Sequence, residues 1–198
     1  MMDHIYQEPQ FGENWFTYPN LYSRFVGELG DGSKIVEVGC WMGKSTSYLA
    51  VEIINSGKNI KIDAIDTWKG SPEHQLNEYV INNTLYELFI SNISRLSHII
   101  TPIKMDGTEA ASLYSEKSVE VVFIDADHSY EEVKKNILAW LPKVKNGGYI
   151  SGHDYWKDNN GNVNVISFGV CKAVDEIFGS VEVTEGCWVH KIGEQTNG

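Results

Sequence analysis

Asp125 closes an almost wholly apolar run, Val119-Glu-Val-Val-Phe-Ile124, and His128 follows it three residues later. A carboxylate in that position is drawn out of water and needs a cation or hydrogen-bond donors beside it. An imidazole close by, with an unperturbed pKa of about 6.5, is suited to moving a proton near neutrality. Asp127 lies between the two, and His153-Asp154 ends a second run, Gly147-Gly-Tyr-Ile-Ser-Gly152. Each has a plain alternative: His128 can cap a helix that starts near Ser129, and His153 can buttress a strand end.

A second constellation lies near the start of the chain. Lys34-Ile-Val-Glu-Val-Gly-Cys-Trp-Met-Gly-Lys-Ser-Thr46 reads as a strand, a glycine turn and a helix start, with Glu37 inside the pocket that such a turn makes. Gly39-x-x-x-Gly43-Lys44-Ser45 is one residue short of a phosphate loop, which must wrap a phosphate in successive backbone N–H groups. Glu37 would also repel a polyphosphate, so an NTPase with Asp125 as its magnesium acid is the lesser alternative. A dinucleotide turn needs a bare glycine where Trp41 stands, to let a pyrophosphate approach, yet Asp66 ends the next strand as a ribose-binding acid should. A nucleoside with a cationic amino-acid tail fits better. Glu37 would balance its positive charge, and the helix start with Ser45 and Thr46 would receive its carboxylate.

These residues need elements to position them. Strands are predicted over 35–38, 60–65, 98–103, 119–124 and 147–152, with Pro102 marking an edge strand. Helices are predicted over 18–29, 44–56, 83–95, 108–116, 130–141 and 170–178, the 130–141 helix turning Val133, Ile137, Leu138 and Leu141 inward. Residues 67–82 and 155–167 read as loops, the first as a lid, and 181–184 with 187–192 as a closing hairpin. Alternation of strand and helix from 34 to 152 builds an α/β fold: a Rossmann-like, doubly wound, mainly parallel seven-stranded sheet with a C-terminal antiparallel hairpin. Ligands of such sheets bind beyond the carboxyl ends of the strands, where all the residues singled out above fall.

The bulk composition agrees. The chain has 198 residues, which suits one domain over 1–198, with 1–30 as a helical, aromatic cap on the core. Lys plus Arg is 16 against 27 Asp plus Glu, a net charge of −11, which argues against a nucleic-acid partner. Cys40, Cys171 and Cys187 are widely spaced and give neither a disulfide framework nor a C-x-x-C metal pattern. No apolar run reaches membrane-span length and no signal design opens the chain, so a cytoplasmic protein handling small molecules is expected, with a homo-oligomer left open.

Four stretches together carry a family resemblance: Val36-Glu-Val-Gly-Cys-Trp-Met-Gly-Lys-Ser-Thr46, Ile65-Asp-Thr-Trp-Lys-Gly70, Phe123-Ile-Asp-Ala-Asp-His-Ser-Tyr130 and Gly147-Gly-Tyr-Ile-Ser-Gly-His-Asp154. In this order and spacing the chain resembles the class I S-adenosylmethionine-dependent methyltransferases. Among them it is most similar to the small metal-dependent O-methyltransferases of the catechol and caffeoyl-CoA type and the related sugar and antibiotic enzymes, where an aromatic at the Trp41 position is common. The resemblance implies that Glu37, Gly39, Cys40, Trp41 and Gly43 line the methionine part of the cofactor and that Ser45 touches its carboxylate. Asp66 would hold the ribose hydroxyls, with Thr67 and Trp68 near the adenosine, and Asp106-Gly107 would meet the adenine amine. Asp106 can equally be a helix N-cap, with Glu109 completing a capping box.

The resemblance further implies a divalent ion on Asp125 and Asp154, with His153 where the family usually has an acid. Two carboxylates suit magnesium, and an imidazole tilts the site toward manganese, iron or zinc. His128, where the family often has a lysine, would be the base, with Asp127 as a second candidate, as base or as ligand. The acceptor would be a hydroxyl of a small molecule or saccharide, met by aromatics such as Trp15, Phe16, Tyr18, Trp68, Tyr155 and Trp156. The competing class is a protein of the same fold that binds the cofactor without transferring its methyl group.

Overall fold

Short apolar runs that alternate with one-faced helices bury both kinds of face when a parallel sheet lies between two helix layers. In the computed structural model of this protein, which describes residues 1–12, 14–158, 161–164 and 167–193, that is the arrangement. The strands are β1 (Lys34–Val38), β2 (Lys61–Asp66), β3 (Ile100–Lys104), β4 (Val119–Ile124), β5 (Val144–Gly152), β6 (Glu182–Thr184) and β7 (Cys187–Lys191). They form one seven-stranded sheet in the order β3-β2-β1-β4-β5-β7-β6. β1 to β5 pair in parallel, and β7 is antiparallel to both β5 and β6. β3 is an edge strand, as Pro102 required.

The helices are α1 (Pro19–Glu28), α2 (Lys44–Ser56), α3 (Glu78–Ile81), α4 (Leu85–Ile93), α5 (Gly107–Ala110), α6 (Tyr130–Trp140) and α7 (Phe168–Phe178). Successive strand residues point to opposite faces. Ile35, Ile62, Ala64, Val121 and Phe123 face one core with α1, α2 and α4, whereas Val36, Val38, Ile65, Val122 and Ile124 face another with α6 and α7. Glu37 shares a face with Ile35, so alternation alone sends its carboxylate into the α1–α2 core. The leading segment is tied to α2, since the Met2 N–H donates to Asn55 Oδ1 at 2.6 Å and Asn55 Nδ2 donates to the Met2 carbonyl at 2.9 Å.

Some boundaries differ from the predicted ones. The 67–82 lid contains a 3-10 turn over Pro72–His74 as well as α3, because Pro72 and the Asn77 side chain each start a turn. The 83–95 helix is α4 followed by a 3-10 turn over Ser94–Leu96. In α6, Leu138 is 51% exposed rather than inward; Trp140 fills that layer, its indole N–H donating to the Gly107 carbonyl at 2.9 Å. Within the 155–167 loop, Lys157 bridges Val163, while 159–160 and 165–166 lie outside the described residues. No helix among the described residues is long and apolar enough to cross a membrane.

Candidate active site

β1 and β4 are neighbours, with Val38 opposite Ile124, so their carboxyl ends place Gly39 beside Asp125. Two hydrogen bonds lock this junction: the Asp125 N–H donates to the Val38 carbonyl at 2.7 Å, and the Gly39 N–H to the Ile65 carbonyl at 2.8 Å. The sheet reverses its winding direction here, which is where a crevice opens in folds of this kind.

Glu37 lies beneath the turn and lines neither of the two cavities described below. It is fully buried; Tyr22 Oη donates to Oε1 at 2.8 Å and Thr46 Oγ1 donates to Oε2. Burial raises its pKa, partly offset by these donors and by Ser45. Glu37 is therefore the buried post on which α1 and α2 meet, rather than a charge presented to a ligand. Tyr22→Phe is expected to cost about 1–3 kcal/mol in a denaturant titration, because it removes a donor from a carboxylate that water does not reach.

Asp66 organises the turn. Its Oδ2 accepts from the N–H groups of Cys40 at 2.8 Å and Trp41 at 3.0 Å, and its Oδ1 from that of Trp68 at 2.8 Å. Burial raises its pKa against the pull of these bonds. Amides that a phosphate loop would aim at phosphate are thus turned toward a carboxylate, which removes the NTPase alternative. Trp41 and Trp68 both take left-handed backbone angles, at φ 48° and φ 50°, a costly geometry for bulky residues that collects at functional turns. The Trp68 indole is not at the pocket: it is buried against Tyr86 and Phe89, and its N–H holds the Trp41 carbonyl at 3.0 Å. Gly43 starts α2 at φ 87° and packs on Phe89 and Ile93, outside the linings of both cavities.

A cavity of about 300 Å³ runs from Gly39, Trp41, Asp66 and Thr67 to Asp106, Gly107 and Asn136. Asp106 caps α5 through Oδ1, which accepts from Thr108 at 2.9 Å and Glu109 at 3.1 Å, while lining this cavity as well. The capping and ligand-facing readings of Asp106 are compatible, since the cap uses one oxygen.

A second cavity, of about 930 Å³, is walled by Trp15, Phe16, Trp41, His74 and Trp156 and floored by Asp125, His128 and Asp154. Ligand atoms of these three floor residues all lie within 4.8 Å of one another. His128 Nε2 is 3.1 Å from Asp154 Oδ2 and 3.7 Å from Asp125 Oδ1, and its Nδ1 is 3.4 Å from Glu73 Oε1. Burial works against a charge on His128, but the carboxylates outweigh it and raise the pKa to about 9. Burial would raise the pKa of Asp125, yet His128, His153 and the Tyr18 hydroxyl, which donates to Oδ2 at 2.9 Å, bring it below the usual value. Asp154 sits at φ 58°, turning its carboxylate toward His128. His153 stands one step aside: Nδ1 is 3.4 Å from Asp154 and 3.9 Å from Asp125, and Nε2 meets Thr17 Oγ1 at 3.1 Å. Asp127 lines both cavities, its Oδ1 accepting from the Ser129 N–H at 2.7 Å.

The structure thus brings together Asp125, His128 and Asp154 on one side and Asp66, Asp106 and Gly107 on the other. Cys40 contributes its N–H and keeps its thiol buried, while Ser45 lines the larger cavity. Sequence reasoning missed Tyr22, Glu73, His74 and Asn136. Their signals were absent: each is far in sequence from the motif it serves and reads as ordinary packing or loop.

A model of the methyltransferase domain family matches residues 36–155. An uncharacterised protein, y4gI, of Sinorhizobium fredii is 22% identical over 165 residues, which is 77% of this chain but only 18% of that protein's length. The O-methyltransferase NovP is similar in structure at a TM-score of 0.65 and 16% identity, covering 89% of this chain and 79% of that one. Cofactor-bound Rv0187 from MTB reaches a TM-score of 0.65 at 14% identity, over 92% and 83% of the two chains. Fibrillarin of Aeropyrum pernix, solved with natively bound S-adenosyl-L-methionine, reaches 0.53 at 14% identity, over 83% and 66%. The structural likenesses share the fold, and the family match spans all four motifs and both acid clusters: the chain belongs to the methyltransferase domain family, built on the Rossmann-like fold of the class I enzymes.

Proposed function

We propose that the protein methylates a hydroxyl oxygen of a small molecule or saccharide, using S-adenosylmethionine and a divalent cation. One observation carries this reading: Gly39, Trp41 and Asp125 to Asp127 line both cavities, so a donor in one and an acceptor in the other would meet across that shared wall. The smaller cavity suits the nucleoside, with Asp66 at the ribose and Asp106 at the base. The larger, walled by Trp15, Phe16 and Trp156, suits a ring-bearing acceptor.

The residues fit both groups. Two carboxylates and an imidazole on Asp125, His128 and Asp154 suit manganese better than magnesium, with positions left for water and acceptor oxygens. Such an ion would acidify an acceptor hydroxyl. S-adenosylmethionine, when bound, supplies an electrophilic methyl on its sulfonium. The chain's own part is to hold the acceptor in line, which yields much of the rate, and to accept the hydroxyl proton. His128, charged below a pKa of about 9, is not a base at neutral pH in the metal-free protein, and as an ion ligand it has committed its lone pair. Asp127, lining both cavities, is then the acceptor of the proton at its carboxylate.

Calorimetry with S-adenosylhomocysteine, followed by a radiolabelled methyl-transfer assay over phenols and saccharides, tests this. Binding in the low-micromolar range by order of magnitude with metal-stimulated transfer is expected; binding without transfer to any hydroxyl compound would favour the non-transferring class.

The charge on His128 predicts a pH effect in chelator. Its folded pKa is above its unfolded value, so its stabilisation is complete below pH 6.5 and fades as pH rises through about 9. The wild type should lose on the order of 3 kcal/mol across that window in urea titrations, and His128→Gln should lose much less.

A further inference from the structure

Asn136 is almost fully buried in α6, at 6% exposure, and lines the smaller cavity beside Asp106 and Gly107. Its Nδ2 donates to the Glu132 carbonyl at 3.0 Å, which fixes the amide's orientation. Its Oδ1 is buried and has no hydrogen-bond partner in the protein. A buried amide oxygen left unpaired is costly, and the sites that keep one are commonly those where a ligand supplies the donor.

Gly107 packs closely against this oxygen. A methyl group on Gly107 would come within 2.4 Å of Val38 Cγ1 and 2.6 Å of Asn136 Oδ1, so the amide and the strand end both need a bare position there. Asp106 is beside it, and its helix cap occupies Oδ1 only. This end of the cavity therefore holds two acceptors, Asp106 Oδ2 and Asn136 Oδ1, that take no hydrogen bond from the helix cap or from the rest of the described residues.

We infer that Asn136 is a specificity-determining residue for the cofactor's base: its Oδ1 accepts from the exocyclic amine of adenine, with Asp106 taking the amine's second hydrogen. This rests on the cofactor assignment above and adds a discrimination to it. An amine offers two hydrogens to two acceptors. A 6-oxo purine offers an oxygen in place of the amine and only the N1 hydrogen beside it, so at least one of the two acceptors would face an oxygen with no hydrogen between them, a mismatch that a buried polar site rejects strongly.

The test is calorimetric and needs no turnover. S-adenosylhomocysteine and its deaminated counterpart, S-inosylhomocysteine, are titrated into the wild type, Asn136→Leu, Asn136→Ala and Asn136→Asp. Wild type should prefer the adenosyl compound by about 100-fold or more. Asn136→Leu and Asn136→Ala should each weaken the adenosyl compound about tenfold and weaken the inosyl compound less than about threefold, so the preference falls about three- to tenfold. Asn136→Asp keeps an acceptor but not the Nδ2 donor to Glu132, and should hold the preference within about threefold of wild type. The alanine variant serves if the leucine variant does not fold. A wild type without preference, or a folded leucine or alanine variant with the wild-type preference, overturns the inference alone. A wild type that binds neither compound overturns the cofactor assignment and the inference together.

Discussion

Asp125→Asn and Asp154→Asn are each expected to lower methyl transfer by about 10³-fold or more, and to weaken manganese binding, while S-adenosylhomocysteine affinity stays within about tenfold. The two carboxylates converge on His128 and supply the formal negative charge that a cation would meet there. An amide in place of either keeps the shape and removes that charge. His128→Ala should weaken manganese as severely, because its Nε2 completes the set. His153→Ala should cost less, about tenfold, since its Nε2 is engaged by Thr17 and its Nδ1 only flanks the carboxylates. Manganese titration followed by paramagnetic resonance, paired with single-turnover transfer, separates the two histidines. If His153→Ala abolishes metal binding and His128→Ala spares it, His153 is the third ligand and His128 is released to act as the base. Tyr18→Phe is the milder companion: it removes the donor to Asp125 Oδ2 and leaves the metal set intact.

That ambiguity between two histidines shows where the sequence stops being legible. The strand ends were readable because apolar runs with polar stops have few other fates, so Asp66, Asp125 and Asp154 fell in the crevice as expected. Which histidine lies nearer Asp154, His128 at 3.1 Å or His153 at 3.4 Å, was not readable, because it depends on one backbone angle, φ 58° at Asp154. Glu37 was placed correctly on its strand but with the wrong neighbours. Period-two alternation could have sent it into the α1 core with Ile35, yet the donor there, Tyr22, comes from a helix whose docking no local pattern encodes. Trp68 reads as a pocket aromatic by its nearness to Asp66, whereas its left-handed backbone swings the indole onto Tyr86 and Phe89. Asn136 sits on the buried face of a helix, and periodicity identifies a face without saying which polar atom on it is left without a partner.

Gly39→Ala is expected to be the most damaging single methyl group in the protein. Two penalties coincide there. The backbone sits at φ +91°, outside the range that L residues favour, and an added Cβ would run into the carbonyl oxygen and carbon of Asp125 and the nitrogen of Ala126. Those atoms are backbone and cannot step aside as a flexible side chain can. Gly57→Ala is the control: it also has a positive φ, +70°, but open space around the added carbon. It should cost only the left-handed penalty, about 1–2 kcal/mol. Gly39→Ala should cost about 4 kcal/mol or more, the range reserved for clashes that nothing can relieve. Relief, if it comes, must separate the β1 turn from the β4 end, stretching the 2.7 Å bond from the Asp125 N–H to the Val38 carbonyl. That movement would displace Asp125 from His128 and Asp154 while opening the wall shared by the two cavities. Cofactor affinity and metal affinity should therefore fall together in whatever fraction of Gly39→Ala folds, whereas Gly57→Ala should keep both. Thermal unfolding read beside the two titrations tests this coupling, and a Gly39→Ala protein that melts like Gly57→Ala with both affinities intact would sink it. A single bare position thus ties the donor pocket to the acid cluster, because the β1 turn and the Asp125 peptide are in backbone contact.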